Sequence, residues 1–205
     1  MLRLIAFVLA TFVVATTAQA QAQEGTKVAE LGLYYQALVV ESEQPVHRGF
    51  VQGYKYWSEK SGVWGFGYGE KDYFSGVLGV YYDLFAFGEE SVFEIGVAAG
   101  AEKMEDQLYN RFAGDLFIGS DNLYLDVYYE NGASKEDWLR VDALWQVKTH
   151  FGLGVLHQTL DGTGVRGVFG IPKTPLKFWV GPMFSKEGRK LLLGIDLVGS
   201  QKKGK

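Results

Sequence analysis

Ten charged side chains fall inside segments that otherwise read as β-strands: Lys55, Glu94, Arg111, Asp115, Asp126, Arg140, Asp142, Arg166, Lys177 and Asp196. Both signs are present and neither dominates. A charge carried on a strand costs free energy unless it reaches water or a partner of opposite sign. In a narrow enclosure these groups would pair into a structural network. In a wider one they would line an aqueous path and set its ion preference.

Other chemistry finds little support in the residue types. The three histidines, His47, His150 and His157, are scattered, and there is no cysteine, so the sequence offers no metal site. Gly65-Phe66-Gly67-Tyr68-Gly69 resembles a phosphate-cradling loop only superficially. Its alternation with aromatic residues reads as a strand with one smooth face. A nucleophile-and-base arrangement could use His47 with Ser42 and Glu43, or His157 near Asp161, if these met at one rim. No catalytic residue and no cofactor is assigned. The net charge of −4 argues against nucleic acid as a partner, which calls for a basic surface.

The elements that must carry these charges alternate in polarity. In Asn122 to Glu130, Leu123, Leu125, Val127 and Tyr129 fall on one face, and Tyr124, Asp126, Tyr128 and Glu130 on the other. Trp138 to Val147 repeats the pattern, with Arg140 and Asp142 opposite Leu139, Val141 and Ala143. Similar segments recur near 28–41, 46–58, 62–69, 73–86, 90–101, 108–119, 122–130, 137–147, 150–159, 163–171, 175–184 and 189–198. Turn residues separate most of them, among them Ser61-Gly62, Asp121-Asn122, Asp161-Gly162 and Glu187-Gly188. Odd-numbered connections carry more charge and length, and even-numbered ones are tighter. Gly65, Gly67 and Gly69, Gly96 and Gly100, and Gly152 and Gly154 are expected on faces opposite the apolar ones. Tyr56, Trp57, Tyr73, Phe85, Tyr128, Tyr129 and Phe184 near strand ends would suit interfacial aromatic bands.

Residues 1–20 read as a signal peptide, with Arg3, an apolar run from Leu4 to Ala15, and Ala18-Gln19-Ala20 as the cleavage pattern; cleavage after residue 22 is equally legal. Residues 21–198 then form one domain, and 199–205 a basic tail.

With its leader and its alternating strands, the chain resembles small bacterial outer-membrane β-barrel proteins. The resemblance covers the mature chain. It implies an all-β, antiparallel up-and-down transmembrane β-barrel of about 10–12 strands in the outer membrane. Its implied partners are outer-membrane lipids, the outer-membrane assembly machinery and small solutes. The last strand, Leu191 to Val198, shares the family's alternation but not its terminal aromatic residue. The role expected is structural or that of a small-solute channel. A lipid-modifying enzyme with a rim histidine and a soluble periplasmic lipocalin-like carrier are the alternatives.

Overall fold

The computed structural model describes residues 27–40, 44–58, 60–86, 91–104, 106–120, 122–132 and 137–202. The leader expected at 1–20, Ser42, Glu43 and Asp121 lie outside these residues. Alternating polarity interrupted by turns gives twelve strands. They are β1 (Lys27–Val40), β2 (Val46–Tyr56), β3 (Ser61–Glu70), β4 (Tyr73–Ala86), β5 (Val92–Met104) and β6 (Gln107–Gly119), followed by β7 (Leu123–Gly132), β8 (Trp138–Lys148), β9 (Phe151–Gln158), β10 (Gly162–Gly170), β11 (Leu176–Ser185) and β12 (Gly188–Lys202).

Each strand pairs antiparallel with its sequence neighbour, and β1 pairs with β12 from Lys27↔Lys202 to Val40↔Lys190. The sheet therefore closes on itself as an up-and-down barrel with no free edge. Because the strand number is even, both ends of the strand order lie at one rim, here the terminal rim; the opposite one is the far rim. Strand β12 continues to Lys202, into the segment expected as a tail.

The expected contrast between long and tight connections is not seen. Far-rim connections such as 71–72, 105–106 and 186–187 are as short as any at the terminal rim, where 87–91 and 171–175 are longer. The reason is that strands extend into residues read as loops: β5 takes in Glu102 to Met104, and β7 takes in Asn131 and Gly132. Two of the far-rim turns depend on left-handed backbone, at Gly162 (φ 96°) after β9 and at Gly188 (φ 125°) in the β11–β12 hairpin.

Polarity is inverted relative to a protein with a dry core and a wet surface. The outer face presents Leu78, Val80, Val97, Val155, Val165 and Leu193 exposed between two sets of exposed aromatics. Tyr35, Phe112, Tyr129 and Phe184 lie toward the far rim; Trp57, Tyr82, Phe85, Trp145, Phe169 and Phe178 lie toward the terminal rim. Three of the residues expected in such bands point inward instead. Tyr56 and Tyr128 join the interior aromatic cluster and Tyr73 donates to Glu102.

Strand β3 also departs from expectation. Trp64, Phe66 and Tyr68 face the interior, which places Gly65, Gly67 and Gly69 on the outer face. The large rings fill space left by small inward residues on the strands beyond, Gly96 and Ala98 of β5 and Ala113 of β6. Gly96, Gly100, Gly152 and Gly154 do share the inward face of their strands.

Candidate functional site

The interior is the place where this chain gathers its chemistry. Alternation along each strand sends every second side chain inward. Two apolar clusters cover opposite walls. One is built on Leu38, Leu144, Leu156, Trp179, Met183 and Leu192, the other on Phe50, Trp64, Phe66, Val77, Tyr81 and Tyr128. Charged groups occupy the remaining space in three groups.

Toward the far rim, Arg111 of β6 lies between Glu102 of β5 and Glu130 of β7 and bonds both, all three buried. Tyr73 donates to Glu102 at 2.6 Å and Tyr128 to Glu130 at 2.9 Å, so both carboxylates have further partners. Arg48 of β2 reaches Glu70 at 3.2 Å and crosses the mouth to Asp161 of the β9–β10 turn at 2.5 Å. Burial pushes the Asp161 carboxyl above its ordinary range, and Arg48 pulls it part of the way back. Lys190 fixes the same turn by donating to the Leu160 carbonyl at 2.7 Å.

At mid-depth, Asp142 of β8 accepts from Arg166 at 2.7 Å, Arg140 at 3.1 Å and Tyr124 at 3.2 Å. The Arg166 guanidinium also stands 5.4 Å over the Trp179 ring, whose indole N–H donates to Asp196 at 2.9 Å. Two guanidinium groups on one carboxylate, with aromatic cover, form a network that cross-links β7, β8, β10, β11 and β12. Asp126, the ladder partner of Asp142, contacts Asp115 with Arg140 within electrostatic reach of both, and nearer the terminal rim Asp83 contacts Glu94.

Of the ten residues singled out in the sequence, Glu94, Arg111, Asp115, Asp126, Arg140, Asp142, Arg166 and Asp196 point inward, and the network joins most of them. Lys177 shares the inward alternation of Trp179 and stands opposite Asp196, but it is exposed at the terminal rim. Lys55 corrects the expectation: it is exposed on the outer face, because Tyr54 and Tyr56 on either side turn inward to the aromatic cluster. Sequence reading left Arg48 and Glu102 unremarked, placed Glu130 on the polar face of its strand without including it among the ten, and named Asp161 only as a possible companion of His157. Arg48 sits where Phe50 and Val51 make the alternation ambiguous. Glu102 and Asp161 were assigned to loops.

At these levels inward side chains pack against one another. An open pore would leave inward groups in contact with water, yet Asp142 is 0%, Leu156 1% and Glu130 2% exposed. The histidines do not meet. His47 accepts or donates at 2.5 Å with Tyr35, and His157 at 2.8 Å with Thr163. They sit on the outer faces of β2 and β9, with four strands between them. Among the described residues neither is hydrogen-bonded to a carboxylate that could orient it. Among the described residues no three acidic or histidine side chains are placed to hold a metal ion.

No family model matches the chain, and no curated protein matches it. Among solved structures it is similar to the ferric-catecholate import receptor Fiu from E. coli K12 in its open form, at 10% identity and a TM-score of 0.30. The likeness covers 85% of this chain but 39% of that receptor, so the chain spans well under half of its length. The barrel described above rests on its own strand pairing and not on that likeness.

Proposed function

We propose that this chain is an outer-membrane β-barrel whose interior is sealed by its own side chains, and that it serves the envelope as a structural protein rather than as an open channel. The observation that carries the reading is the pairing of a filled, ion-paired interior with an apolar outer face. Arg111, Glu102, Glu130 and Asp142 are buried inside while Leu78, Val97 and Val165 are exposed outside. In water such an arrangement would expose a continuous apolar belt and bury costly charge. In a bilayer the belt meets lipid, and closure satisfies every ladder hydrogen bond. The two sets of outward aromatics fit the two lipid–water interfaces. The proposed partners are therefore outer-membrane lipids, with insertion by the assembly machinery after export by the leader.

The alternatives draw less support. A rim enzyme needs a histidine beside a nucleophile and an orienting acid, and His47 and His157 stand apart on the outer wall. A soluble carrier needs a polar exterior. Small-solute conduction needs a path past the Arg166–Asp142 level.

The test is fractionation followed by reconstitution. The protein is expected in the outer-membrane fraction with a mobility that changes on boiling, and in planar bilayers it is expected to give no stable open conductance. A stable conductance step that changes with Arg166→Ala would overturn the sealed reading. A soluble product with no heat-dependent shift would overturn the membrane reading.

A further inference from the structure

The two rims differ in how their cations are partnered. At the far rim Arg48 pairs with Glu70 and Asp161, and Lys190 pairs with Glu187. Lys71 and Lys103 there have Asp72 and Asp106 nearby in sequence. At the terminal rim the ends of β8 and β11 and the turns beside them carry Lys148, His150, Lys173 and Lys177, all exposed. Residues 143–151 and 168–178 contain no aspartate or glutamate. Among the described residues no carboxylate pairs with any of the three lysines. Lys177 is the ladder partner of Asp196, but that carboxyl accepts from Trp179 and lies within electrostatic reach of Arg166 and Arg140.

The register gathers these groups on one arc. Lys148 stands opposite Phe151, Phe151 opposite Phe169, and Gly170 opposite Lys177. The Gly170 N–H donates to the His150 carbonyl at 2.9 Å and ties the two turns together. At the usual strand spacing of about 4.8 Å, β8 to β11 span about 15 Å. The turn after β10 is fixed by the Ile171 N–H on the Leu176 carbonyl at 3.0 Å and the Thr174 N–H on the Ile171 carbonyl at 3.2 Å. It holds Lys173 at φ 64°, a left-handed conformation that suits glycine or asparagine better than lysine.

The outer wall beside the arc is apolar and aromatic. Trp145, Leu153, Phe169 and Phe178 are exposed there, and the Phe151 and Phe169 rings lie 5.2 Å apart. The lysines stand just beyond this band, Lys148 following Trp145 on β8 and Lys177 adjoining Phe178 on β11. In a bilayer the rings mark the interface, and a flexible lysine stem carries its ammonium to headgroup level.

We infer that this arc binds anionic phospholipid, through the phosphodiester of its headgroup, in the leaflet that meets the terminal rim. The three ammonium groups supply positive charge that no carboxylate of the chain offsets, and the phosphodiester supplies acceptor oxygens. Lysines near an anionic lipid surface add to the attraction. A zwitterionic lipid carries its own cation beside the phosphate and offsets the arc less well. The inference deepens the outer-membrane reading and rests on it.

The experiment is tryptophan quenching in phosphatidylcholine liposomes that hold the full protein and a small fraction of lipid with brominated acyl chains, either phosphatidylglycerol or phosphatidylcholine. Trp57 and Trp145 are the exposed tryptophans. Trp57→Phe therefore leaves Trp145 to report on the arc, and Trp57→Phe with Trp145→Phe gives the background from the inward rings. Around Trp145, phosphatidylglycerol should be enriched about two- to fivefold over phosphatidylcholine. The preference should shrink at high salt. Lys148→Gln with Lys173→Gly and Lys177→Gln should abolish it, while quenching by brominated phosphatidylcholine persists. A preference that survives the triple replacement overturns the site. If that variant fails to insert, Lys173→Gly decides, since it relieves a left-handed backbone and removes an exposed side chain; an unchanged preference then overturns the site. Equal quenching by the two lipids, with a normal heat-dependent gel shift, refutes the arc and leaves the barrel standing. Trp145 quenched by neither lipid refutes the membrane reading itself.

Discussion

Trp64 of β3 reaches past β4 to lie against Gly96 of β5. A Cβ built on Gly96 would stand 2.7 Å from the indole nitrogen, which donates to the Val80 carbonyl at 3.1 Å. A shorter-range version recurs across the barrel, where Trp179 of β11 lies against Gly194, its ladder partner on the neighbouring strand β12. Inward glycines here are receptacles for inward tryptophans. Gly96→Val should therefore cost about 1–3 kcal/mol through overpacking. The check is urea unfolding of the protein inserted in liposomes, followed by tryptophan emission. Trp64→Phe in the same background should recover part of the loss, because the smaller ring vacates the contested space.

This relation also marks where the sequence stops being readable. Strands β7 and β8 were legible because Asp126, Arg140 and Asp142 alternate with Leu125, Val141 and Ala143, and a charge has only one tolerable side. Strand β3 was not, because Trp64, Phe66 and Tyr68 suit either lipid or a packed interior, and glycine carries no side chain to break the tie. Only Gly96, Ala98 and Ala113, distant in sequence, decide it by leaving room. Lys55 was misplaced for the same reason: its flanking tyrosines are compatible with both faces. The strand number and order were legible from turns, while the Arg48–Asp161 bridge joins residues far apart in sequence that no local pattern connects.

Arg111 is held by Glu102 and Glu130 with all three buried. Arg111→Ala leaves two buried carboxylates without their cation and should destabilise by about 3–5 kcal/mol. A triple replacement, Arg111→Met with Glu102→Gln and Glu130→Gln, should lose much less, since it removes the charges together. Comparing urea midpoints of the two proteins in liposomes tests this. Equal losses would mean that the arginine acts by filling volume rather than by neutralising charge.

Asp161 gives the far-rim turn a pH dependence whose sign can be worked out. Burial raises its carboxyl above the ordinary range of about 3.9, with Arg48 and Lys190 opposing and Glu70 reinforcing the shift. The folded state therefore holds this proton to higher pH than the unfolded chain does. Its contribution to stability is present below the unfolded value and is lost as pH rises through the folded one. Asp161→Asn cannot ionise, so the variant should gain on wild type as pH rises from acid toward neutrality. Unfolding midpoints of both proteins across that range provide the measurement. A difference that does not vary with pH would show that Arg48 cancels the effect of burial.

Val97, at the middle of β5, is 63% exposed on the outer face. On a water-soluble barrel, Val97→Arg would be a surface change of small consequence, within about 0.5 kcal/mol. In a bilayer the same charge enters hydrocarbon near mid-depth and should cost about 2–4 kcal/mol. Asn110→Arg, on the outer face of β6 close to the far rim, should cost about 0–1 kcal/mol because its guanidinium reaches the headgroups. The comparison separates lipid exposure from general damage to the strand, since both sites are exposed and both receive the same side chain. A large penalty at Val97 with a small one at Asn110, read from unfolding in liposomes, places the aliphatic band in the membrane. Equal penalties would place it elsewhere.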